Sequence, residues 1–249
     1  MRVKIMKRWV CLGFMVAISH SVVAEEPVHF PSPQLTVDGT SSPAPAATQS
    51  PTPAATPQTQ MSLGAQKVYD DGMKAFEKGD LEKAHKQFLK LLQLLPDNPV
   101  GLVNLGAVEI RLKLWTEAEM HLKRVVRLQP EAAPAWLTLG VLYCDRDQLD
   151  EALAALSQAV LLDPKNARAH NYLGVTVGKK GWYSGAEAEL QRAIELQPDY
   201  ADAHFNLALF YLQRDPPAVE LARRHYNRAL ELGSAPDPLV EKSLNGGQK

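Results

Sequence analysis

The sequence predicts an all-helical solenoid of five helix-turn-helix repeats behind a Pro-rich segment. Pro96, Pro130, Pro164 and Pro198 stand 34 residues apart without slippage. Three other columns keep that ruler: Gly72, Gly106, Gly140, Gly174 and Ala208; Leu105, Leu139, Leu173 and Leu207; Ala84, Ala118, Ala152 and Ala186. Between prolines, apolar residues follow helical spacing in two stretches split by a turn. One such hairpin cannot bury its own apolar stripe, so equivalent hairpins must stack on one another.

The elements follow in chain order. Arg2, Lys4, Lys7 and Arg8 precede an apolar run from Trp9 to Ile18, and Val22-Val23-Ala24 supplies small residues before Glu25. This is the layout of a secretory signal peptide over 1–24, cleaved after Ala24. The alternative is an uncleaved N-terminal anchor, the only route by which the chain would engage a membrane. Residues 25–62 read as a disordered Pro/Ala/Thr-rich linker, with eight prolines and three charges between Glu25 and Gln60. That composition cannot bury enough apolar surface to offset the entropy of ordering. Past Ala24 the chain carries 23 basic and 28 acidic side chains, a net charge of −5. The balance argues against a nucleic-acid partner, which needs a clustered basic face. Cys144 is the one cysteine beyond the leader, so it reads as a buried free thiol.

The repeats occupy 63–236, as units 65–98, 99–132, 133–166, 167–200 and 201–236. In the second unit Leu102, Leu105, Gly106 and Glu109 define one helix, Lys113 to Thr116 a turn, and Ala118, Leu122, Val125 and Val126 the second helix. Gly79 and Gly181 fill the equivalent turn elsewhere, where a left-handed backbone is cheap for glycine; Asp147 takes that place in the third unit. Gly140 and Ala152 are expected to let the two backbones of a hairpin approach. Asp71 sits in the Leu column of the first unit, as an exposed end repeat allows. The last unit carries two extra residues around Asp215-Pro216-Pro217, where Asp215 is expected to cap the second helix and the prolines to open it. Residues 237–249 read as a short capping segment and tail, with Leu239, Val240 and Leu244 covering the last apolar face.

The run Trp136-Leu137-Thr138-Leu139-Gly140-Val141-Leu142-Tyr143, followed by Ala152, Leu156, Ala159 and Pro164, closely resembles the tetratricopeptide repeat (TPR). The resemblance implies a right-handed superhelix whose first helices line a concave groove for peptides or partner helices. It implies these groove residues: Tyr69, Asp70 and Met73; Val103, Asn104 and Ala107; Leu137, Thr138 and Val141; Asn171, Tyr172 and Val175; Phe205, Asn206 and Leu209. Some members of the family clamp a C-terminal carboxylate with Lys, Arg and Asn, but here Val103, Ala107, Val141 and Val175 stand in those places. Asn104 and Asn206 resemble the asparagine ladder of the O-linked N-acetylglucosamine transferase repeats, interrupted by Thr138 and Tyr172.

No phosphate loop, HExxH or nucleophile elbow is present. The reading is therefore non-enzymatic, with no catalytic residue, metal or cofactor. His170 and His204 stand 34 apart and read as packing residues rather than a metal pair; Trp115 and Trp182 read as packing aromatics at turns. The expected function is a protein-interaction scaffold or adaptor, exported to a periplasmic or extracellular compartment. A holdase-type chaperone and a non-catalytic subunit of an envelope enzyme or secretion machine are its rivals. Replacing Val141 and Leu209 with Glu is expected to abolish partner capture with the thermal melt nearly unchanged.

Overall fold

The computed structural model describes residues 61–246. The leader expectation, and the linker expectation up to residue 60, lie outside the described residues. Within them the chain forms α1 (Leu63–Glu77), α2 (Leu81–Leu94), α3 (Pro99–Arg111), α4 (Trp115–Leu128), α5 (Ala133–Asp145) and α6 (Leu149–Leu162). It continues with α7 (Ala167–Lys179), α8 (Tyr183–Leu196), α9 (Ala201–Gln213), α10 (Val219–Glu231) and α11 (Pro238–Asn245). The described residues are all-helical, without strands.

Two kinds of helix alternate, and their composition decides their layer. The first helices of the inner hairpins are apolar nearly all round: α3 buries Leu102, Val103, Leu105, Val108 and Ile110, and α5 and α7 are covered as fully. A helix without a polar face must be enclosed by neighbours. The second helices bury a narrow stripe, Ala118, Leu122 and Val125 in α4 or Ala186, Leu190 and Ala193 in α8, and turn the remainder to solvent. Accordingly α3, α5, α7 and α9 touch in succession, while each second helix packs between its own first helix and the next one. Each fully buried Leu of this core contributes about 1.5–3 kcal/mol. The core has two parts that meet at α3. Leu105 and Val108 join the α1–α2 cluster, Leu102 and Ile110 join the cluster running to α11, and Leu92 packs against both.

The corners between hairpins are four copies of one geometry. Leu95, Gln129, Asp163 and Gln197 end their helices at φ −137, −139, −134 and −139°, each with ψ between 79 and 91°. A following proline excludes the helical region for the residue before it, so Pro96, Pro130, Pro164 and Pro198 impose that exit. The three inner corners are also clamped. Trp136 Nε1 donates to the Pro130 carbonyl at 2.7 Å. His170 Nε2 and His204 Nε2 do the same to Pro164 and Pro198, each at 3.1 Å. The aromatic column thus ties the first turn of each of the last three hairpins to the corner before it.

The hairpin turns put Gly79, Lys113, Asp147 and Gly181 at φ 75, 60, 57 and 83°. The Asp147 expectation holds, and Lys113 joins it. A left-handed backbone costs a non-glycine residue roughly 1–2 kcal/mol. Lys113 is exposed. Lys113→Gly is therefore expected to stabilise the fold by about 0.5–1 kcal/mol, net of the extra unfolded-state entropy of glycine. A urea titration checks it.

The last hairpin departs from expectation. Helix α9 ends at Gln213, and α10 opens at Val219 with Ala218 as its cap and no side-chain cap bond, so Asp215 does not cap it and Pro216 and Pro217 lie before it. The two inserted residues are taken up in the connection, where Ala218 N donates to the Tyr211 carbonyl. Helix α11 is built as its residues suggest. Asp237 caps it through Leu239 N and Val240 N, Pro238 opens it, and Val240 and Leu244 are buried. Leu239 points outward and stays exposed.

Candidate functional site

The wall formed by the first helices is the candidate site, because α3, α5, α7 and α9 touch in an unbroken row. Of the fifteen residues that the family resemblance places there, Asp70 is exposed and Tyr69, Ala107 and Phe205 are half-buried. The others, Met73, Val103, Asn104, Leu137, Thr138, Val141, Asn171, Tyr172, Val175, Asn206 and Leu209, are buried. This corrects one expectation. Glutamate at Val141 or Leu209 would place a charge among covered apolar groups, so it would lower the melt as well as any capture.

The polar members of the wall are held in fixed rotamers. Asn206 Nδ2 donates to Asn171 Oδ1 at 3.0 Å, joining α9 to α7. Asn171 Nδ2 reaches the Tyr200 hydroxyl at 3.4 Å. Asn104 Nδ2 donates to the Val100 carbonyl at 3.0 Å, and Thr138 Oγ1 to the Pro134 carbonyl at 2.8 Å. Asn104 also bonds the Tyr69 hydroxyl, whose pKa is raised above the phenol range chiefly by burial. The interrupted ladder is thus rebuilt in a different way. Asn171 steps in beside Tyr172, at a separation of 35 rather than 34 residues, and period counting passes over it. The bonded Asn171–Asn206 pair keeps donor and acceptor positions on α7 and α9 that suit the alternating N–H and C=O groups of an extended backbone.

A second set of contacts joins α2, α4 and α8 each to the next first helix. Between α2 and α3, His85 Nε2 lies 3.4 Å from Glu109 Oε1, and His121 of α4 closes on Glu109 Oε2 at 2.9 Å. Glu109 is only 1% exposed. One period on, the Tyr143 hydroxyl donates to Glu119 Oε1 at 3.1 Å, with Arg146 and Lys123 on the same carboxylate. These contacts, the Lys123 hydrogen bond first among them, hold the Glu119 carboxyl below its usual range. Two further periods on, Tyr211 donates to Glu187 Oε1 at 2.9 Å, beside Arg214. In the intervening interface Leu153 and Val177 hold those positions.

His170 and His204 do not face each other. His170 Nδ1 meets Glu189 Oε2 at 2.6 Å, whereas His204 stacks on His225 of α10 with their Nδ1 atoms 3.0 Å apart. Because His204 Nε2 carries its proton toward Pro198, its Nδ1 is the acceptor and His225 Nδ1 the donor. Burial first, then His204 and Arg224, push the His225 imidazole down to about 4. His204 moves in the same direction, mainly by burial. A folded ring that refuses a proton the unfolded ring accepts makes the fold weaker in acid. Stability is complete above the unfolded value near 6.5 and falls as pH drops toward 4, by about 2 kcal/mol after discounting for partial exposure. Melts of the wild type and His225→Phe at pH 7.5 and 4.5 check this: the variant is expected to lose less between the two.

Cys144 is a buried free thiol with Sγ 3.1 Å from Thr176 Oγ1. Trp115 is half-buried against the core, but Trp182 is 53% exposed at the start of α8, with the Lys180 ammonium 5.4 Å from its ring centre. The packing assignment holds for the first and not for the second. Among the described residues, no helix is long and apolar enough to cross a membrane.

Stacked antiparallel helix pairs with proline corners and a shared inner wall define a helical-repeat protein of the tetratricopeptide type. The chain belongs to the family of the tetratricopeptide repeat protein 21 C-terminal ARM domain, whose model matches residues 53–224. No curated protein matches it. Among solved structures it is similar to MamA, at 27% identity over 65% of this chain and 93% of that one, with a TM-score of 0.53. It is also similar to TTC0263, a thermophilic TPR protein of Thermus thermophilus, at 24% identity, 73% and 97% coverage and a TM-score of 0.61. A third is YrrB, described as a TPR protein with an unusual peptide-binding site, at 21% identity, 74% and 92% coverage and a TM-score of 0.53. The last two likenesses are of fold alone.

Proposed function

We propose that this protein is a non-enzymatic interaction scaffold of the cell envelope that holds an extended segment of a partner protein along its inner wall. The observation that carries the reading is the continuous row α3–α5–α7–α9, whose last two helices are joined by the Asn206–Asn171 hydrogen bond. Such a row offers amides beside the half-buried side chains of Tyr69, Ala107 and Phe205, and its chemistry suits recognition rather than bond-making. The description of YrrB as peptide-binding supports it by analogy of fold. Export rests on the leader pattern in residues 1–24, and Pro-rich residues 25–62 would act as a tether. N-terminal sequencing of the protein from its native compartment tests export: a start at Glu25 supports it, and intact Met1 in membranes replaces it with anchoring.

The wall is tested at its half-buried members. Ala107→Glu with Phe205→Glu is expected to reduce crosslinking to a stoichiometric partner by at least about tenfold, the equivalent of 1.4 kcal/mol. The melt should fall far less than with Val141→Glu. Undiminished crosslinking would refute the wall assignment, and a spread of weak unfolded clients in place of one partner would favour a holdase.

A further inference from the structure

We propose that residues 28–37 of this same chain dock along the inner wall and must be displaced by a partner. The inference rests on the wall being the binding surface. In residues 25–60 the apolar side chains larger than Ala or Pro are Val28, Phe30, Leu35 and Val37, all within ten residues. A spacer has no use for such a cluster. From Asp38 to Gln60 no apolar residue exceeds Ala or Pro, which is the composition a spacer does have. Pro27, Pro31 and Pro33 keep the cluster out of a helix and favour an extended chain. An extended chain is what the amides of Asn104, Asn171 and Asn206 can bracket, with Ala107 and Phe205 as partly open apolar contacts.

The dimensions agree. Ten residues in a polyproline II conformation span about 31 Å. Helices packed side by side at about 8–10 Å place four successive first helices within about 24–30 Å. The spacer from Asp38 to Ser62 ends at the N-cap of α1, at the first-repeat end of the array. Its 25 residues have a root-mean-square reach of about 25–30 Å, enough to bring the cluster to the middle of the row. A tether of this length holds its ligand at an effective concentration on the order of millimolar. An intrinsic affinity near about 1 mM therefore suffices for half occupancy. A partner segment sees its apparent affinity multiplied by the unoccupied fraction, a loss of about twofold at half occupancy, so the linker sets a threshold for capture.

The test uses the mature chain, residues 25–249. With Phe30→p-benzoylphenylalanine, irradiation at low micromolar concentration is expected to give a crosslink within one monomer, to α5, α7 or α9. Crosslinks confined to dimers would assign the segment to a second copy and overturn the proposal, as would crosslinks to the outer helices or none at all. A second measurement titrates a synthetic peptide of residues 27–37 against the mature chain and against Phe30→Ser with Leu35→Ser. The variant is expected to bind at least about twofold more tightly, and equal binding or none to both overturns cis docking. The two readings fail separately. Loss of partner capture on Ala107→Glu and Phe205→Glu without a Phe30 crosslink keeps the wall and removes the docking. Unchanged capture removes the wall as partner site whatever Phe30 contacts.

Discussion

His121→Ala is expected to cost about 3 kcal/mol of folding stability, because it leaves a buried carboxylate short of its nearer partner. Glu109 is enclosed by α2, α3 and α4, and its Oε2 has His121 Nδ1 at 2.9 Å while Oε1 has only the longer His85 contact at 3.4 Å. Desolvating a carboxylate is tolerable while cation or hydrogen-bond donors face both oxygens, and removing one donor exposes the full penalty. The companion change has the opposite outcome. His85→Leu with Glu109→Val removes the carboxylate and the farther of its two histidines, leaves His121 partly open to water, and is expected to fall within about 1 kcal/mol of the wild type. The chain already contains that solution, since Leu153 and Val177 occupy the same two places between α6 and α7. Denaturant titrations of the three proteins decide it. A double variant as damaged as His121→Ala would mean that packing volume, and not the unpaired charge, dominates.

Gly140→Ala is expected to destabilise the protein by about 2 kcal/mol or more, although the same change in an ordinary helix gains about 1 kcal/mol. A Cβ at position 140 would stand 2.5 Å from Leu156 Cγ and 2.6 Å from its Cδ2, with the Leu156 backbone N behind at 3.4 Å. The clash falls on the branch point of a fully buried side chain, which has nowhere to turn. Gly106 and Gly174 face Leu122 and Leu190 in the same way, with Cγ at 2.8 Å in each case. The close approach expected of Gly140 and Ala152 is filled by Leu156, which stands directly against Gly140. A double-mutant cycle with Leu156→Ala is expected to show a coupling of at least about 1 kcal/mol, because the shortened side chain vacates the space the new methyl needs. Additive losses would remove steric contact as the cause.

Much of the fold was legible because each repeat packs on a near copy of itself. A residue that suits the Pro130 corner also suits Pro164 and Pro198, so the requirement is written several times at one spacing. The candidate wall was legible only as positions. Tyr69, Asn104, Asn171 and Asn206 were named correctly as first-helix residues, but the Asn171–Asn206 bond and the coverage of Val141 and Leu209 were not foreseen. Neither keeps the period: a bond between adjacent repeats joins two different columns, and burial depends on what the next helix brings.

The sequence by itself determined the all-helical repeat, the helix pairs, the proline corners and the left-handed turn at Asp147, all set by local backbone preference and by periodic apolar burial. Only the tertiary structure decided the partners of Glu109, the pairing of His204 with His225 and the start of α10 at Val219. Those depend on distances between side chains from different columns, and a one-dimensional period carries no information about how far apart two columns come to rest.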